Sequence, residues 1–372
     1  MTRQQLPVLS VKGKPFDCGR QYGSQAREQI RRNIEIYFNM WSTLWGAKRP
    51  EILKQCRGLV PAIGEYDTDI LEELEGVAKG ADLSLDEIIA LNARYEINIA
   101  LGIVPQRGNG GCTSVAALPQ VTKDGHTILG QNWDWLPRFQ ESNVILEVEQ
   151  EGKPNIVTQP EAGTLAHRGM NSAGLGVCFN GMASSQDRLE STTPFLIMIR
   201  GILNADSYSQ ALKAVLGTRT TLSGNFLIAH RDGEAIDLEV SPTDVGSLYA
   251  EGGILTHSNH FLAFTNREDL KDILKPLYPD TLFRCHRAQQ LLELDKGHID
   301  VASFRRVFQD HFSYPHSICR HVDARDEGLK QWTTLFSMIM DLEARAIYIT
   351  EGSPCQNEYY KLTPQSLLKD WG

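Results

Sequence analysis

The stretch Gly110-Gly111-Cys112-Thr113-Ser114 joins a glycine-rich breaker to what reads as the first strand of a sheet. Inside a strand a cysteine packs as a small hydrophobe. At this junction the peptide bond before it can bend toward its own thiol, because glycine takes backbone conformations closed to other residues. Attack of the Cys112 sulfur on the Gly111 carbonyl would give a thioester by an N→S acyl shift. Water would then release a chain that begins with Cys112 and carries a thiol and a free α-amine on one residue. That amine has an ordinary pKa of about 7.7–8.0, so it can act as general base for the thiol beside it, and no histidine is required. A buried strand-end cysteine is the alternative reading of these five residues taken alone.

Other residues could complete such a site. Gly130-Gln131-Asn132-Trp133-Asp134-Trp135 lies where a paired second strand would return its polar end toward Cys112. There Asp134 could accept hydrogen bonds from the new ammonium. Asn180, in Val177-Cys178-Phe179-Asn180-Gly181, and Asn259, in Thr256-His257-Ser258-Asn259-His260, could each donate to a tetrahedral oxyanion. As isolated residues, asparagines at strand ends are also turn formers. The chain lacks H-E-x-x-H, G-x-x-x-x-G-K-Ser/Thr and G-x-Ser-x-G. His257 and His260 have H-x-x-H spacing without a carboxylate or third histidine beside them, so they read as a hydrogen-bonded pair. No metal is expected.

The elements that must hold these residues fall into two textures. Residues 1–111 open with a strand-like Leu6 to Val11 and continue as amphipathic helices at about 16–45, 50–63, 67–79 and 85–101. In the first, Ile30, Ile34, Tyr37, Phe38 and Trp41 recur at spacings of three and four. Ser84 with Glu87 forms a start signal for the last. After the breaker, strands are expected at 112–118, 127–133, 143–149 and 155–158, with a turn at Lys123-Asp124-Gly125 and a hairpin over 169–177. Helices at 194–204 and 207–216, strands at 225–230, 235–240 and 246–249, helices at 282–294 and 300–310, and strands at 334–341 and 344–350 follow. Runs of strands and runs of helices favour an α+β layering over a doubly wound sheet.

Of 372 residues, 37 are Lys or Arg and 46 Asp or Glu, a formal charge of −9. Residues 1–111 hold 14 basic and 14 acidic side chains, so the excess lies after the breaker. A nucleic-acid partner is not expected of such a chain. No apolar run approaches the roughly 18 to 20 residues of a membrane helix, and Met1 to Ser10 lacks a basic segment followed by an apolar one. Seven cysteines form no C-x-x-C pair, and no N-x-Ser/Thr sequon occurs. The expectation is a soluble cytoplasmic protein with reduced thiols and no membrane partner.

One series of segments is more specific. Gly111-Cys112-Thr113, Gly130-Gln131-Asn132-Trp133-Asp134, Glu161-Ala162-Gly163, Asn171-Ser172-Ala173-Gly174, Leu238-Glu239-Val240-Ser241-Pro242-Thr243, His257-Ser258-Asn259-His260 and Tyr314-Pro315-His316-Ser317-Ile318-Cys319-Arg320 occur in this order. Together they resemble the acyl-coenzyme A:6-aminopenicillanic acid acyltransferase (isopenicillin N acyltransferase) family. Phe16 to Gly23 and Glu73 to Gly80 are similar to its N-terminal part.

The resemblance implies a cysteine N-terminal-nucleophile hydrolase with a four-layer αββα sandwich. Such proteins are made as inactive precursors that cut themselves before the cysteine. Residues 1–111 would form a helical pro-segment and 112–372 the catalytic segment, the two pieces staying associated as one domain. Carried over, Gly111–Cys112 is the cut bond, Cys112 the nucleophile and Asp134 the support of its amine. Asn259 matches the oxyanion asparagine, and Asn180 an oxyanion or substrate asparagine of related bile-salt hydrolases and penicillin V acylases. Ser241 matches a serine linked to processing. Arg320, Trp133 and His257 are assigned to substrate binding or to support of the catalytic groups.

Departures from the family pattern are equally definite. The later arginine of the penicillin enzyme falls near Gln331, with Lys330 and Arg325 as nearby cations, and the chain ends Lys369-Asp370-Trp371-Gly372 instead of in a peroxisomal tripeptide. Gln131 replaces the arginine of bile-salt hydrolases. The implied activity is acyl transfer from a small-molecule donor, through an acyl-Cys112 intermediate, to water or an amine. No cofactor is implied, and a coenzyme A thioester enters only as an acyl-donor substrate. The alternatives are a dedicated hydrolase of N-acyl amino acids, amines or β-lactam side chains, and a non-enzymatic binding protein on the same fold.

Overall fold

The computed structural model describes residues 5–102, 111–188, 190, 192–265, 267–328, 331–369 and 371. Its strands are β1 (Val8–Gly13), β2 (Cys112–Ala117), β3 (Ile128–Trp135), β4 (Ile145–Gln150), β5 (Ile156–Thr158), β6 (Gly169–Asn171), β7 (Leu175–Gly181), β8 (Gly224–His230), β9 (Glu234–Val240), β10 (Val245–Tyr249), β11 (Ile254–His257), β12 (Thr333–Asp341), β13 (Ala346–Ile349) and β14 (Tyr360–Leu362). The helices are α1 (Pro15–Gln25), α2 (Arg27–Trp45), α3 (Arg49–Arg57), α4 (Val60–Tyr66), α5 (Thr68–Ala81), α6 (Leu85–Asn92), α7 (Arg94–Ala100), α8 (Phe195–Asn204), α9 (Tyr208–Leu216), α10 (Leu274–Leu277), α11 (Asp280–Glu293) and α12 (Val301–Phe308).

Two sheets face each other. The eight-stranded one runs β1-β4-β5-β6-β7-β8-β9-β10, antiparallel except where β1 joins β4 in parallel, and the six-stranded one runs β11-β2-β3-β12-β13-β14, antiparallel throughout. Strands β2 and β3 meet β7 across the interface, α1 and α8 cover the first sheet, and α11 and α12 cover the second. This is the expected four-layer αββα order. Among the described residues no helix is long and apolar enough to cross a membrane.

Three long helices expected from periodicity are each broken in two. The 16–45 segment divides at Ala26, whose backbone leaves the helical region (φ −102°, ψ 16°), and 85–101 divides at Ala93 (φ −110°, ψ 23°). Pro61 occupies the first turn of α4, where its missing N–H costs nothing, and so starts a new helix within 50–63. The cap read from sequence at Ser84 is present, and Asp67 supplies a second. Asp67 accepts from the Asp69 and Ile70 amides, and Ser84 and Glu87 form a reciprocal capping box.

The N-terminal helices are held together by close backbone contact and tied to the rest of the chain by buried charge. Gly19 and Gly23 of α1 lie against Gly76 and Gly80 of α5. A Cβ on Gly19 would sit 2.0 Å from the Glu73 carbonyl oxygen, and one on Gly80 2.2 Å from that of Arg20. Only glycine allows backbones this near, which gives the 16–23 and 73–80 motifs a packing role. Glu73 pairs with Arg200 of α8 at 2.6 Å, and Glu161 pairs with Arg94 of α7 at 2.7 Å while accepting from Tyr37. All are buried.

Candidate active site

Register places the candidate residues. On β2 and β3, Cys112 lies opposite Trp133 and Ser114 opposite Gln131. Side chains alternate along a strand, so Cys112, Ser114 and Ala116 face the other sheet while Thr113, Val115 and Ala117 face the helices. The inward direction is fixed by Ser114 Oγ, which donates to Asn180 Oδ1 of β7 at 2.6 Å. Asp134, one residue past Trp133, therefore projects to the helix side, as does the α-carbon face of Gly111. The Asp134 amide donates to the Gly111 carbonyl at 2.7 Å, extending the ladder by one bond beyond Cys112.

The helix side is dense with charge. Asp134 Oδ1 accepts from Thr334 Oγ1 at 2.6 Å, whereas Oδ2 is buried without a hydrogen bond, 3.4 Å from Arg320 Nε. A Cβ on residue 111 would lie 2.7 Å from that Oδ2, so only glycine leaves the carboxylate this close to the chain before Cys112. Burial pushes the Asp134 carboxyl up to about 6, against the pull of Arg320 and Arg284. Arg284 of α11 donates to the Cys112 carbonyl at 2.6 Å, to Thr113 Oγ1 at 3.0 Å and to Asn259 Oδ1 at 2.9 Å. Asp280, one helical turn before Arg284, accepts from both Arg284 and Arg320. Burial opposes its ionisation, yet the two guanidiniums hold its carboxyl below the ordinary range.

The sheet-facing side is aromatic. Trp133 lies edge-on to His167 and tilted against Phe336, with the Arg168 guanidinium 4.9 Å from the first ring and 4.5 Å from the second. Tyr95 Oη is 3.0 Å from His167 Nε2. Burial lowers Arg168 to about 10, so it keeps its charge at neutral pH. Burial, and then the Asp134 charge, push the Cys112 thiol up to about 12, while Arg168, Arg284 and the Asp134 amide oppose them. In the uncut chain Cys112 is a neutral thiol, 3% exposed. A surface cavity of about 780 Å³ beside Tyr66 and Arg219 contains none of these residues.

The two asparagines play different parts. Asn259 Oδ1 accepts from the Cys112 amide at 3.0 Å and from Arg284, and its Nδ2 donates to the Gly181 carbonyl at 2.9 Å. Two donors facing the same amide require its oxygen there, so in the uncut chain Asn259 addresses the Cys112 nitrogen. Asn180 accepts from Ser114 and Asn225, and its Nδ2 is a buried donor with no partner. Gln131 donates to Ser114 Oγ and to the Phe179 carbonyl, so it is occupied in tying β3 to β7.

Of the remaining sequence-derived residues, Trp133 and Arg320 lie in the site, and His257 and Ser241 make their contacts elsewhere. His257 Nε2 is 2.8 Å from Glu239 Oε1; burial disfavours its charge, but Asp237 and Glu239 outweigh that and raise it to about 9. Ser241 Oγ donates to the Asp244 carbonyl and accepts from the Asp244 amide, closing the turn between β9 and β10. Gln331 donates to the Asp326 carbonyl and Arg325 pairs with Asp323; Lys330 lies outside the described residues. Sequence reasoning missed Arg284, Asp280, Thr334 and Arg168. The spacing of Asp280 and Arg284 is a helical ion-pair signal, but nothing in it says that the pair is buried beside Cys112.

The family model described as acyl-coenzyme A:6-aminopenicillanic acid acyl-transferase matches residues 121–356, a stretch that holds Asp134, Asn180, Asn259, Arg284 and Arg320 and starts after Cys112. The 40 kDa form of acyl-coenzyme A:6-aminopenicillanic-acid-acyltransferase from Emericella nidulans is 30% identical over 347 residues, 93% of this chain and 92% of that one. Two solved structures are more distant. A variant of the conjugated bile acid hydrolase from Clostridium perfringens has a TM-score of 0.45 at 17% identity, covering 68% of this chain and 98% of that one. Penicillin V acylase from Agrobacterium tumefaciens has a TM-score of 0.45 at 11% identity, covering 64% and 83%. On the family match and the near full-length relative, the chain belongs to the acyl-coenzyme A:6-aminopenicillanic acid acyl-transferase family.

Proposed function

We propose that the protein cuts itself between Gly111 and Cys112 and then works as an acyltransferase or amidohydrolase through an acyl-Cys112 intermediate. The observation that carries this reading is the setting of the Cys112 nitrogen. It is still part of a peptide bond, yet the Asn259 amide oxygen already accepts from it, and the unspent Asp134 Oδ2 lies against the residue before it. Buried carboxylates are normally satisfied. A carboxylate oxygen with no hydrogen bond and only the Arg320 guanidinium 3.4 Å away has capacity left for an ammonium that appears only after cutting.

In the cutting step the Cys112 sulfur attacks the Gly111 carbonyl carbon. The carbonyl oxygen gains charge while held by the Asp134 amide, and the C–N bond breaks as the Cys112 nitrogen takes a proton. Water then hydrolyses the thioester, leaving a carboxylate on Gly111 and a free thiol on Cys112. In the mature enzyme the Cys112 amine takes the thiol proton as sulfur attacks an acyl donor, and Asp134 with Asn259 orients the amine. The unpartnered Asn180 Nδ2 is the candidate donor to the new oxyanion. The acyl chain would lie on the face of β2 and β3 that carries Trp133, beside Phe336. Pieces of 111 and 261 residues would remain together, because the first supplies β1 and the buried Glu73 and Arg94 pairs.

The test incubates purified protein with a panel of acyl thioesters with and without an amine acceptor, and in parallel with N-acyl amides. Acid-quenched samples should show the acyl mass on the residue 112–372 piece. Amine-dependent product marks transfer, and product from the amides alone marks a dedicated hydrolase. Absence of acylation by every donor, with Cys112 unreactive to a thiol-directed acylating probe, would leave a binding protein and end the proposal.

A further inference from the structure

Beyond the catalytic centre, four side chains from three separated segments aim at one point. His311 stands in the loop after α12, Cys319 and His321 flank Arg320, and Cys355 lies beyond β13. Their nitrogen and sulfur atoms all lie within 4.8 Å of one another. His321 Nε2 is 3.1 Å from His311 Nε2, 3.6 Å from Cys319 Sγ and 3.3 Å from Cys355 Sγ. Zinc bonds of about 2.0–2.1 Å to nitrogen and 2.3 Å to sulfur give tetrahedron edges of about 3.3 Å for N···N and 3.5 Å for N···S. The three separations from His321 Nε2 match those edges to within about 0.2 Å, and the remaining ones fall within 4.8 Å.

As hydrogen-bonding partners the four are mismatched. A neutral imidazole nitrogen offers one donor or one acceptor, and His321 Nε2 has three neighbours that compete for it. Cys319 is buried, and Cys355 is exposed, so an ion can reach the cluster from solvent. The loops are already held together without an ion: Gln309 Nε2 donates to the Pro354 carbonyl at 2.8 Å.

We infer that His311, Cys319, His321 and Cys355 form a structural site for a tetrahedral divalent cation of the zinc class, which fixes the loop that carries Arg320. Two sulfurs and two nitrogens select zinc over magnesium or calcium, which take oxygen ligands. Binding releases the two thiol protons, so the site is charge-neutral when filled and weakens as pH falls. Its place in the chain gives it a consequence. Cys319 and His321 are the neighbours of Arg320, whose guanidinium reaches Asp280 and Asp134. An ion clamping both neighbours limits how far that guanidinium can move from Asp134. Ligands scattered over 311–355 leave no short motif to read, so cysteine spacing alone gives no sign of such a site.

The test is metal analysis of the full-length chain, purified with reductant and dialysed, by inductively coupled plasma mass spectrometry. About one zinc per chain is expected, falling to roughly a tenth or less in Cys355→Ser and in His311→Asn, as for loss of one of four ligands. Cobalt added to chelator-stripped protein should give the thiolate charge-transfer absorption of a tetrahedral site, weakened in Cys355→Ser. If a variant fails to fold, wild-type metal content and the cobalt spectrum still decide. A reduced wild-type chain that holds no zinc and gives no cobalt spectrum overturns the site, as does a Cys319–Cys355 disulfide found by peptide mapping. None of these readouts depends on activity, so they stand or fall apart from the acyl-transfer reading.

Discussion

The two faces of the β2–β3 hairpin treat the same residue in opposite ways. Toward the eight-stranded sheet, the Cys112 thiol shares a face with Trp133 and Phe336, over whose rings the Arg168 guanidinium lies, in a packed and largely apolar setting. Toward the helices, its carbonyl accepts from Arg284, part of a buried ionic network with Asp134, Asp280 and Arg320 in which one carboxylate oxygen has no hydrogen bond. The first face desolvates a sulfur, which keeps the thiol protonated in the uncut chain. The second is prepared for charge that the uncut chain does not yet have. A strand is the one element that offers one residue to both, because side chain and backbone present different edges.

Four substitutions break or sharpen this contrast. Cys112→Ala removes the sulfur from the inner face, and acyl turnover should fall by about 10³-fold or more in a steady-state assay. Asn180→Ala removes the unpartnered donor, and a loss of about 10²–10³ in kcat is expected with cutting retained. Should kcat hold, the oxyanion lies elsewhere, with Asn259 the next candidate.

Asp134→Asn tests the outer face without chemistry, in the uncut Cys112→Ala background. Asp134 binds its proton more tightly folded than unfolded, with a folded pKa of about 6 against an ordinary 3.8. Between those values the folded state holds more protons, so stability falls as pH rises from about 4 to 6. The swing is at most about 3 kcal/mol. Urea unfolding at pH 4 and pH 7 should show a smaller drop in Cys112→Ala/Asp134→Asn than in Cys112→Ala alone; equal drops would mean Asp134 does not titrate there. Smallest is Gly111→Ala, which puts a methyl against Asp134 Oδ2. Overpacking of about 1–3 kcal/mol should slow cutting about tenfold or more in a time course after refolding.

The helix-side network shows where reading a sequence stops. Cys112, Asp134 and Asn259 were visible because a nucleophile at a glycine-to-strand junction, an aspartate one strand away and an amide at a strand end are each local patterns. Strand positions follow from alternation and an α+β class from runs of like elements, whereas the αββα layering is what the family resemblance implies. Arg284 reads only as the outer half of a helical ion pair; its contact with Cys112 spans 172 residues. Arg168 gave no signal at all, since a cation stacked on Trp133 and Phe336 exists only once three segments meet. Helix breaks at Ala26 and Ala93 were missed for a different reason. Alanine is a strong helix former, and there tertiary packing overrides propensity.

The central claim is that the contrast between faces serves a residue that becomes the start of a chain. Intact mass of freshly purified protein, measured in denaturant beside Cys112→Ala, tests it most directly. Expected are pieces of 111 and 261 residues, the second beginning with Cys112, and a variant that stays at 372. A wild-type chain of full length that still turns over acyl thioesters or amides would contradict it.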